Sequence, residues 1–229
     1  MVQTDINTPS RSYADKEPDW KLIETLLGGT RAMRKAARTY LPQEPAEDDA
    51  SYRNRLERSV LFNAFKSTLT SMAGKPFKKQ VTLKDPGLPQ LEDYSYDVDM
   101  RGNNVTVFAH KCFRSLLAYG STHILIDYPV VPEKSTLADA RAMGARPYFV
   151  HLDATRVIGA RVVYEGGMPI LTMVRIRETY TVEQPDGNDQ DFPQVRVLYP
   201  GRYEIWRQEA KRKKWTIAGR RRNRKATSI

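Results

Sequence analysis

The sequence has little cysteine, little histidine and no long apolar run, and each shortage disfavours a class of protein. The single cysteine, Cys112, excludes an internal disulfide framework and suits a reducing compartment. No apolar run approaches the roughly 18 residues that a membrane span needs. The N-terminus has no apolar core of a secretory signal. With 40% hydrophobic and 28% charged residues, the composition is that of an ordinary globular protein, which we expect to be made in the cytosol without a membrane partner.

The positive charge is concentrated at the C-terminal end of the sequence. The chain carries a net +10, of which residues 207–229 contribute +9 and all other residues +1. Such a block can contact nucleic-acid phosphates without sequence preference, or it can be a solvated, disordered end. Trp215 could add a stacking face for a single-stranded base. The residues that would contact nucleic acid are Lys211, Arg212, Lys213, Lys214, Arg220, Arg221, Arg222, Arg224 and Lys225.

Apolar spacing predicts helices in the first half of the chain. Residues 1–18 are polar and are expected to be a flexible N-terminal arm. Two helices follow, separated at Gly28 and Gly29, and a long third helix is expected from Ser51 to Gly74. The apolar stripe of the third helix consists of Leu56, Val60, Leu61, Phe65, Leu69, Met72 and Ala73.

A fourth helix is predicted before the strands begin. The stretch from about residue 84 to 104 is rich in proline and aspartate and is expected to be a loop. The fourth helix begins after Asn103 or Asn104 and ends at Gly120. Its inward stripe would include Val105, Phe108, Cys112 and Leu116.

The second half of the chain carries strand signals. Two short apolar runs, "THILIDYP" and "PYFVHLD", flank a small helix, and β-branched runs then meet at Gly166–Gly167 and at Pro200–Gly201, as in hairpins. Helices followed by antiparallel strands predict an α+β fold. We expect one domain over residues 19–206 and a disordered basic tail over 207–229.

Asp127 ends an apolar strand-like run, where many enzymes place catalytic groups. A catalytic aspartate needs a base, nucleophile or metal partner, and no such partner has a recognisable spacing here. The alternative is that Asp127 bonds backbone amides in a turn before Pro129, and this is favoured. His110, His123 and His151 do not have the spacing of a zinc site.

Two partial motifs also fail as ligand sites. The stretch that starts at Asp97 resembles the beginning of a calcium loop, but Phe108 stands where a bidentate glutamate is required. "GKPF" at Gly74 resembles half of a phosphate-binding loop, but Leu69 occupies the position of its first glycine. We therefore expect no catalytic, cofactor or metal residues and no enzymatic activity.

An ordered series of motifs resembles the phage portal (head–tail connector) family, in the branch often catalogued as a domain of unknown function. The match runs from about residue 20 to 206 and corresponds to the N-terminal half of the family. The first markers are Gly29, Thr30, Arg31, Met33, Arg34, Tyr40, Leu41, Pro42, Tyr52, Arg55, Leu56 and Gly74 to Phe77. The later markers are Asp97, Asp99, Gly102, Gly120, the run "ILIDYP", Arg146 to Tyr148 and Pro200 to Trp206.

The resemblance implies an α+β portal wing domain in a structural protein of a bacteriophage or prophage. Such subunits form a homo-oligomeric ring, typically of twelve, at one capsid vertex, and DNA is packaged and ejected through it. The implied partners are other portal subunits, the capsid, the terminase and the tail adaptor. The implied location is the host bacterial cytoplasm during virion assembly and then the virion. Asp127 would belong to a strand-to-loop junction of this scaffold.

The end of the chain departs from the family. Portals of this family are longer, with a stem, a clip and a crown that would lie beyond residue 206, and the basic tail does not resemble that continuation. We therefore expect a truncated portal. The alternative is a small nucleic-acid-binding protein that acts through the basic tail and contacts DNA non-specifically. A third hypothesis is an enzyme that uses Asp127 and a histidine.

Overall fold

The fold is described by a computed structural model that covers residues 5–84, 87, 89–132, 134–184, 187–208 and 214–222. These residues form six α-helices and seven β-strands, and every paired strand is antiparallel to its neighbour. Most helices precede the strands along the chain, which confirms the predicted α+β class.

The elements are numbered in chain order. The helices are α1 (Arg11–Ala36), α2 (Asp49–Arg58), α3 (Ala64–Gly74), α4 (Pro89–Tyr96), α5 (Val105–Tyr119) and α6 (Leu137–Ala142). The strands are β1 (Thr122–Asp127), β2 (Tyr148–Asp153), β3 (Val157–Glu165), β4 (Met168–Glu183), β5 (Asp189–Tyr199), β6 (Arg202–Gln208) and β7 (Trp215–Arg222). Short 3-10 helices lie at Ala37–Thr39, Pro76–Lys78 and Ala154–Arg156.

The chain divides into two compact units. The sheet unit comprises Met1–Pro18 and Thr155–Ile229, and the helical unit comprises Asp19–Ala154. This division differs from the single domain predicted over 19–206, because β3 to β7 form a sheet of their own. The expected flexible arm is wrong for residues 11–18, which form the first turns of α1.

The N-terminal residues are fixed within the sheet unit by side-chain hydrogen bonds. Tyr13 is 5% exposed, and its hydroxyl donates to the carbonyl of Thr155 at 2.9 Å. The Arg175 Nη1 donates to the carbonyl of Thr8 at 2.7 Å. These partners lie more than a hundred residues away in sequence, so the polar composition of residues 1–18 could not reveal them.

The long third helix predicted from Ser51 to Gly74 is wrong. The structure has two helices there, α2 and α3, joined by residues 59–63, which we call the linker. Ser59 is extended, with ψ 137°, and the side chain of Asn63 caps α3 by accepting from the Lys66 N–H at 2.9 Å. A polar capping residue inside a periodic apolar pattern therefore starts a new helix.

α1 bends at Gly29, where the sequence predicts a break between two helices. Gly29 has φ 71° and ψ −158°, a region that is essentially restricted to glycine. A Cβ at Gly29 would meet nothing within 4 Å, so backbone conformation rather than crowding requires the glycine. The break is confirmed, although α1 continues beyond it to Ala36.

α5 packs on the two-stranded sheet of the helical unit. The Asn104 side chain caps its start by accepting from the Val107 N–H, and Gly120 ends it with φ 75°, as predicted. Val98, Phe108 and Cys112 form a buried cluster under the helix. The predicted strands β1 and β2 are confirmed and pair with each other, and α6 between them is also confirmed. The stretch expected to be a loop before α5 instead contains α4.

The sheet unit is a five-stranded antiparallel sheet in the order β3-β4-β5-β6-β7. The predicted hairpins are confirmed: β3 turns into β4 at Gly166–Gly167, and β5 into β6 at Pro200–Gly201. The expected disorder of the basic tail is wrong for residues 215–222, which form β7 and pair with β6. The residues "WTI" at the start of β7 are good strand formers, and that signal was outweighed by the basic composition.

The centre of the sheet unit is formed by fully buried β-branched residues. Ile158, Ile176, Val195 and Val197 are each less than 2% exposed. They lie on three consecutive strands, and β-branched side chains pack well against strand neighbours. This core anchors the sheet.

A chain of polar side chains ties β4, β5 and β6 together. Glu178 lies 3.1 Å from the Arg196 Nε and accepts from the Gln194 amide at 2.8 Å. Gln194 in turn accepts from the Arg207 Nε at 2.9 Å, and the Arg207 guanidinium lies 4.1 Å from the ring centre of Tyr180. Arg207 therefore belongs to the folded sheet, whereas the sequence assigned it to the basic tail.

Candidate functional site

The predicted nucleic-acid residues are partly within the described chain. Lys214 precedes β7, and Arg220, Arg221 and Arg222 lie in its second half. The Arg220 Nε lies 3.4 Å from a carboxylate oxygen of Glu204, so part of its charge is balanced. Lys211, Arg212, Lys213, Arg224 and Lys225 lie outside the described residues.

Trp215 is not a free stacking face in this fold. It pairs with Gln208 across β6 and β7 and is half-buried. Its indole Nε1 is buried and has no hydrogen-bond partner among the described residues. The indole therefore serves mainly the packing of the last strand.

Asp127 bonds a backbone amide at the end of β1, as the favoured alternative expected. Its Oδ1 accepts from the backbone N–H of Tyr128 at 2.9 Å. The Tyr128 hydroxyl donates to the carbonyl of Ala145, which ties the end of β1 to the segment before β2. Residues 128–132 form no regular turn, so the amide contact is found but the turn is not.

The three histidines do not converge. His110 lies on α5 with its ring edge-on to Phe77, at 5.3 Å between centroids. His123 is exposed on β1, and His151 on β2 shares a 2.8 Å hydrogen bond with the Thr122 hydroxyl. Within the described ranges, no group of three or more His, Cys, Asp or Glu side chains could hold a metal ion.

The aspartates of the partial calcium motif shape a turn. The Asp97 Oδ1 accepts from the N–H groups of Arg101 and Gly102, at 3.0 and 2.9 Å. Asp99 accepts from the backbone and the side chain of Asn103. Their oxygens are used by the backbone of the same turn, and Arg146 forms an ion pair with Asp97 at 3.0 Å.

A buried polar cluster, which the sequence did not reveal, joins α5 to β2. Ser115 is 7% exposed, and its hydroxyl donates to the Asp153 Oδ1 at 2.7 Å. His151 Nε2 lies 3.6 Å from the same oxygen. Ser115 occupies the inward position that was predicted for Leu116, which is 39% exposed. Since the serine bonds the carboxylate directly and not the imidazole, the cluster is arranged as a helix-to-strand tie rather than as an activated nucleophile.

The same cluster perturbs a neighbouring carboxyl group. Burial raises the pKa of Glu24, and the nearby carboxylate of Asp153 raises it further. Burial also raises the pKa of the Cys112 thiol and of the Tyr119 hydroxyl. The raised values keep the thiol and the phenol protonated at neutral pH, where a thiolate nucleophile would need a lowered pKa.

The most distinctive surface of the helical unit is the linker. Three hydrogen bonds fix alternate linker residues to successive turns of α1. The Arg34 Nε donates to the carbonyl of Ser59 at 2.9 Å, and the Thr30 hydroxyl accepts from the Leu61 N–H at 3.2 Å. The side-chain amide of Asn63 donates to the carbonyl of Leu26.

Helix and strand geometry explain the two anchors that follow the bend of α1. Residues 30 and 34 are four apart along the helix after Gly29, which is about 6.0 Å. Residues 61 and 59 are two apart along the linker, which is about 6.6 Å in an extended segment. The two steps nearly match, and the third anchor, Asn63, reaches Leu26 on the part of α1 before the bend. The residues between the anchors, Val60 and Phe62, are 77% and 90% exposed.

The segment that precedes the linker is also fixed. The Tyr52 hydroxyl donates to the carbonyl of Leu41 at 2.9 Å, and an Arg55 Nη donates to the carbonyl of Pro42 at 2.9 Å. Arg55 also bonds both carboxylate oxygens of Glu47, at 2.7 and 2.8 Å. The linker therefore starts from a helix that is tied down, and the backbone that carries its two exposed apolar side chains has a defined position.

A second exposed apolar surface lies on β1. Ile124 and Ile126 are 51% and 66% exposed, and their alternate spacing places them on one face of the strand. In the sheet unit, Tyr164 and Met168 at the β3–β4 turn are 72% and 69% exposed. Single exposed apolar residues are common on protein surfaces. Only those on a fixed segment, or those that lie next to each other, indicate an interaction surface.

Comparison with known proteins adds no assignment. No family model matches the chain, and no curated protein is significantly similar to it. None of the helices formed by the described residues is both long and apolar enough to cross a membrane.

Proposed function

We propose that this chain is a structural subunit of a phage or prophage portal ring, with the linker as one of its subunit contacts. The observation that carries the proposal is Phe62, which is 90% exposed on a segment held to α1 by three hydrogen bonds. An apolar side chain on a fixed backbone loses only its own rotamer freedom when it docks, so docking is less costly than for a side chain on a mobile segment. Fully burying a phenylalanine side chain contributes about 1.5 to 3 kcal/mol.

The motif residues support this proposal through what they contact. Thr30 and Arg34 of the first motif anchor the linker, and Tyr52 and Arg55 of the next motif fix α2 against the Leu41–Pro42 turn. The residues that resemble the portal family therefore build a scaffold that presents apolar side chains. A scaffold of this kind is what a structural subunit requires.

The two exposed surfaces of the helical unit suggest how copies of the chain meet. A closed ring is built from head-to-tail contacts, in which one patch of each subunit meets a different patch of the next. We assign the first patch to Val60 and Phe62, and the second to Ile124 and Ile126 on β1. Both patches are apolar and belong to one unit, so their placement within each copy is the same.

Paired aspartate substitutions test both patches. The double variants V60D/F62D and I124D/I126D should each be mainly monomeric, with a mass near 26.3 kDa by light scattering, while the wild type forms larger species. A control variant, Y164S/M168S, removes exposed apolar residues from the sheet unit and should assemble like the wild type. Circular dichroism verifies that all variants fold.

Mixing the two monomeric variants gives the sharpest outcome. Each variant retains one intact patch, so a head-to-tail contact predicts a heterodimer that cannot grow further. The result that overturns the proposal is a wild-type chain that stays monomeric, or a V60D/F62D variant that assembles as well as the wild type.

A second candidate is nucleic-acid binding through the C-terminal strand. The observation that favours it is the position of Lys214 directly before β7 and of Arg220 on β7, the last strand of the sheet, with one neighbouring strand. Binding should weaken as salt rises and should be weaker, with a smaller salt slope, in the variant K214Q/R220Q/R221Q. Unchanged binding by this variant would contradict the candidate.

A further inference from the structure

The charge of the helical unit is unevenly distributed. Residues 58–84 contain six basic residues and no acidic residue, whereas the rest of the helical unit contains 13 basic and 16 acidic residues. The near neutrality of the chain outside its C-terminal tail therefore hides a strongly cationic segment. Its basic residues are Arg58, Lys66, Lys75, Lys78, Lys79 and Lys84.

All six side chains are exposed to solvent. Across the described part of the chain, none of the six forms an ion pair with a carboxylate. Lys75 has only the thioether sulfur of Met72 near its amine, at 3.6 Å. The charges are therefore available to an external anion.

The segment that carries the last four lysines is held against α5. The Phe77 ring lies 5.3 Å from the ring of His110 and 5.9 Å from that of Phe113. Further on, the N–H of Val81 donates to the Thr106 hydroxyl at 3.0 Å. These contacts follow α5 from its centre toward its start, so the lysines between them are displayed on an ordered backbone.

Polar groups of α3 adjoin one of these charges, that of Lys66. Leu69 and Ala73 are buried, so the opposite face of the helix is turned to solvent. That face borders an open depression of about 500 Å³, lined by Asn63, Lys66, Ser67, Thr70 and Ser71. In nucleic-acid complexes, serine hydroxyls donate hydrogen bonds to phosphate oxygens, and the charged amines of lysines contact the same oxygens.

We propose that the cationic surface of residues 66–84 binds the phosphate backbone of nucleic acid. Exposed lysines without carboxylate partners, one of them beside serine hydroxyls and others on a segment held against α5, are the groups that backbone contacts use. This inference does not rest on the portal proposal, since it concerns different side chains and requires no assembly. It also differs from binding through β7, which lies in the other unit.

The test measures binding of the full chain to a fluorescent 30-base-pair duplex of random sequence. Fluorescence anisotropy at several salt concentrations gives an affinity and a salt slope. The variant K75Q/K78Q/K79Q should bind more weakly, and its slope should fall by about one unit for each lysine lost from a phosphate contact. A charge-matched control, K35Q/K134Q/R141Q, removes three exposed cations elsewhere in the helical unit and should bind like the wild type.

Two further variants separate the sources of binding. K214Q/R220Q/R221Q reports the contribution of β7 and the residue before it, and V60S/F62S, which adds no charge, reports whether assembly is required. Equal loss of binding in K75Q/K78Q/K79Q and in its control K35Q/K134Q/R141Q would overturn the inference, since only net charge would then matter. Binding to vesicles of anionic phospholipid but not to the duplex would overturn it as well.

Discussion

Different interactions dominate the interior of each of the two units of this protein. In the sheet unit, Ile158, Ile176, Val195 and Val197 form a core less than 2% exposed. In the helical unit, a buried cluster of Val98, Phe108 and Cys112 is supplemented by side chains that tie distant segments by donating to backbone carbonyls, as Tyr13 and Arg175 also do in the sheet unit. Examples are the Trp20 indole to Tyr119, the Tyr52 hydroxyl to Leu41 and the Arg34 guanidinium to Ser59.

The difference explains where exposed apolar residues can stand. A segment that is held by hydrogen bonds does not need to bury all its side chains, so Val60 and Phe62 remain outside. In the sheet unit the β-branched residues of the central strands are buried in the core, so they are not exposed for docking. The helical unit is therefore the better candidate for presenting docking surfaces.

The largest expected effect is in the core of the sheet unit. Ile176→Ala should reduce the free energy of unfolding by roughly 2 to 5 kcal/mol, because it leaves a cavity among packed neighbours. Urea unfolding is followed in a Trp20→Phe background, where the fluorescence comes from Trp206 and Trp215 in this unit. The control Ile170→Ala, at a residue 39% exposed, should cost distinctly less.

The next effect lies at the bend of α1. Gly29→Ala should destabilise the helical unit by about 1 to 3 kcal/mol, because alanine resists the conformation of Gly29. Gly74→Ala is the matched control, since Gly74 has open space and an ordinary helical φ, and it should be neutral or slightly stabilising. Trp20 fluorescence in a background with both other tryptophans replaced measures this unit. Equal effects of the two substitutions would show that the bend carries no strain.

A smaller effect is expected from a single hydrogen bond of the helical unit. Tyr52→Phe removes the hydroxyl that bonds the Leu41 carbonyl but keeps the ring between Arg38 and Arg55. The loss should be about 1 kcal/mol by urea unfolding. The same substitution at Tyr96, which is 71% exposed, should change stability by less than about 0.5 kcal/mol.

The smallest expected effect is the change in stability of the helical unit with pH, which depends on its carboxyl groups. The hydrogen bond from Arg55 lowers the pKa of Glu47, and the Ser51 N–H lowers the pKa of Asp48. A lowered pKa stabilises the folded state at neutral pH, and that stabilisation is lost as pH falls from the ordinary values of 4.5 and 3.8 through the lower folded values. Acid should therefore weaken the helical unit.

Glu24 works in the opposite direction and supplies a check. Its raised pKa means that ionisation at neutral pH costs stability, so Glu24→Gln should steepen the loss of stability on acidification. Asp48→Asn keeps an N-cap acceptor but removes the titrating carboxyl group, so the loss of stability on acidification should become less steep. The measurement is the urea midpoint reported by Trp20 at pH 7 and pH 3. A midpoint that rises on acidification would contradict the assignment.

Local signals in the sequence predicted much of the fold. The break at Gly29, the caps of α5, the strands β1 and β2 and both hairpin turns depend on neighbouring residues, and all were found. The long third helix was wrong because the cap at Asn63 competes with a continuous apolar pattern. The disordered tail was wrong because strand-forming residues at the start of β7 stand next to a block of arginines.

The candidate sites were harder to predict, for a physical reason. The anchors of the linker join residues 25 to 37 positions apart, and their acceptors are mostly backbone carbonyls that every residue carries. One signal could have been read: Thr30 and Arg34, four residues apart after Gly29, share a helical face that alternate residues of an extended segment can match. The cationic segment was also readable, but the average charge of the chain outside its tail concealed it.

Photo-crosslinking at position 62 tests the central claim most directly. Phe62 is replaced by p-benzoylphenylalanine in the otherwise unchanged chain, the sample is irradiated, and the products are mapped by mass spectrometry. We predict a covalent dimer in which residue 62 of one copy is joined to residues 124–126 of another, and no dimer from the same probe at position 164. A product that remains monomeric, with residue 62 joined to nothing or only to its own chain, would contradict the proposed subunit contact.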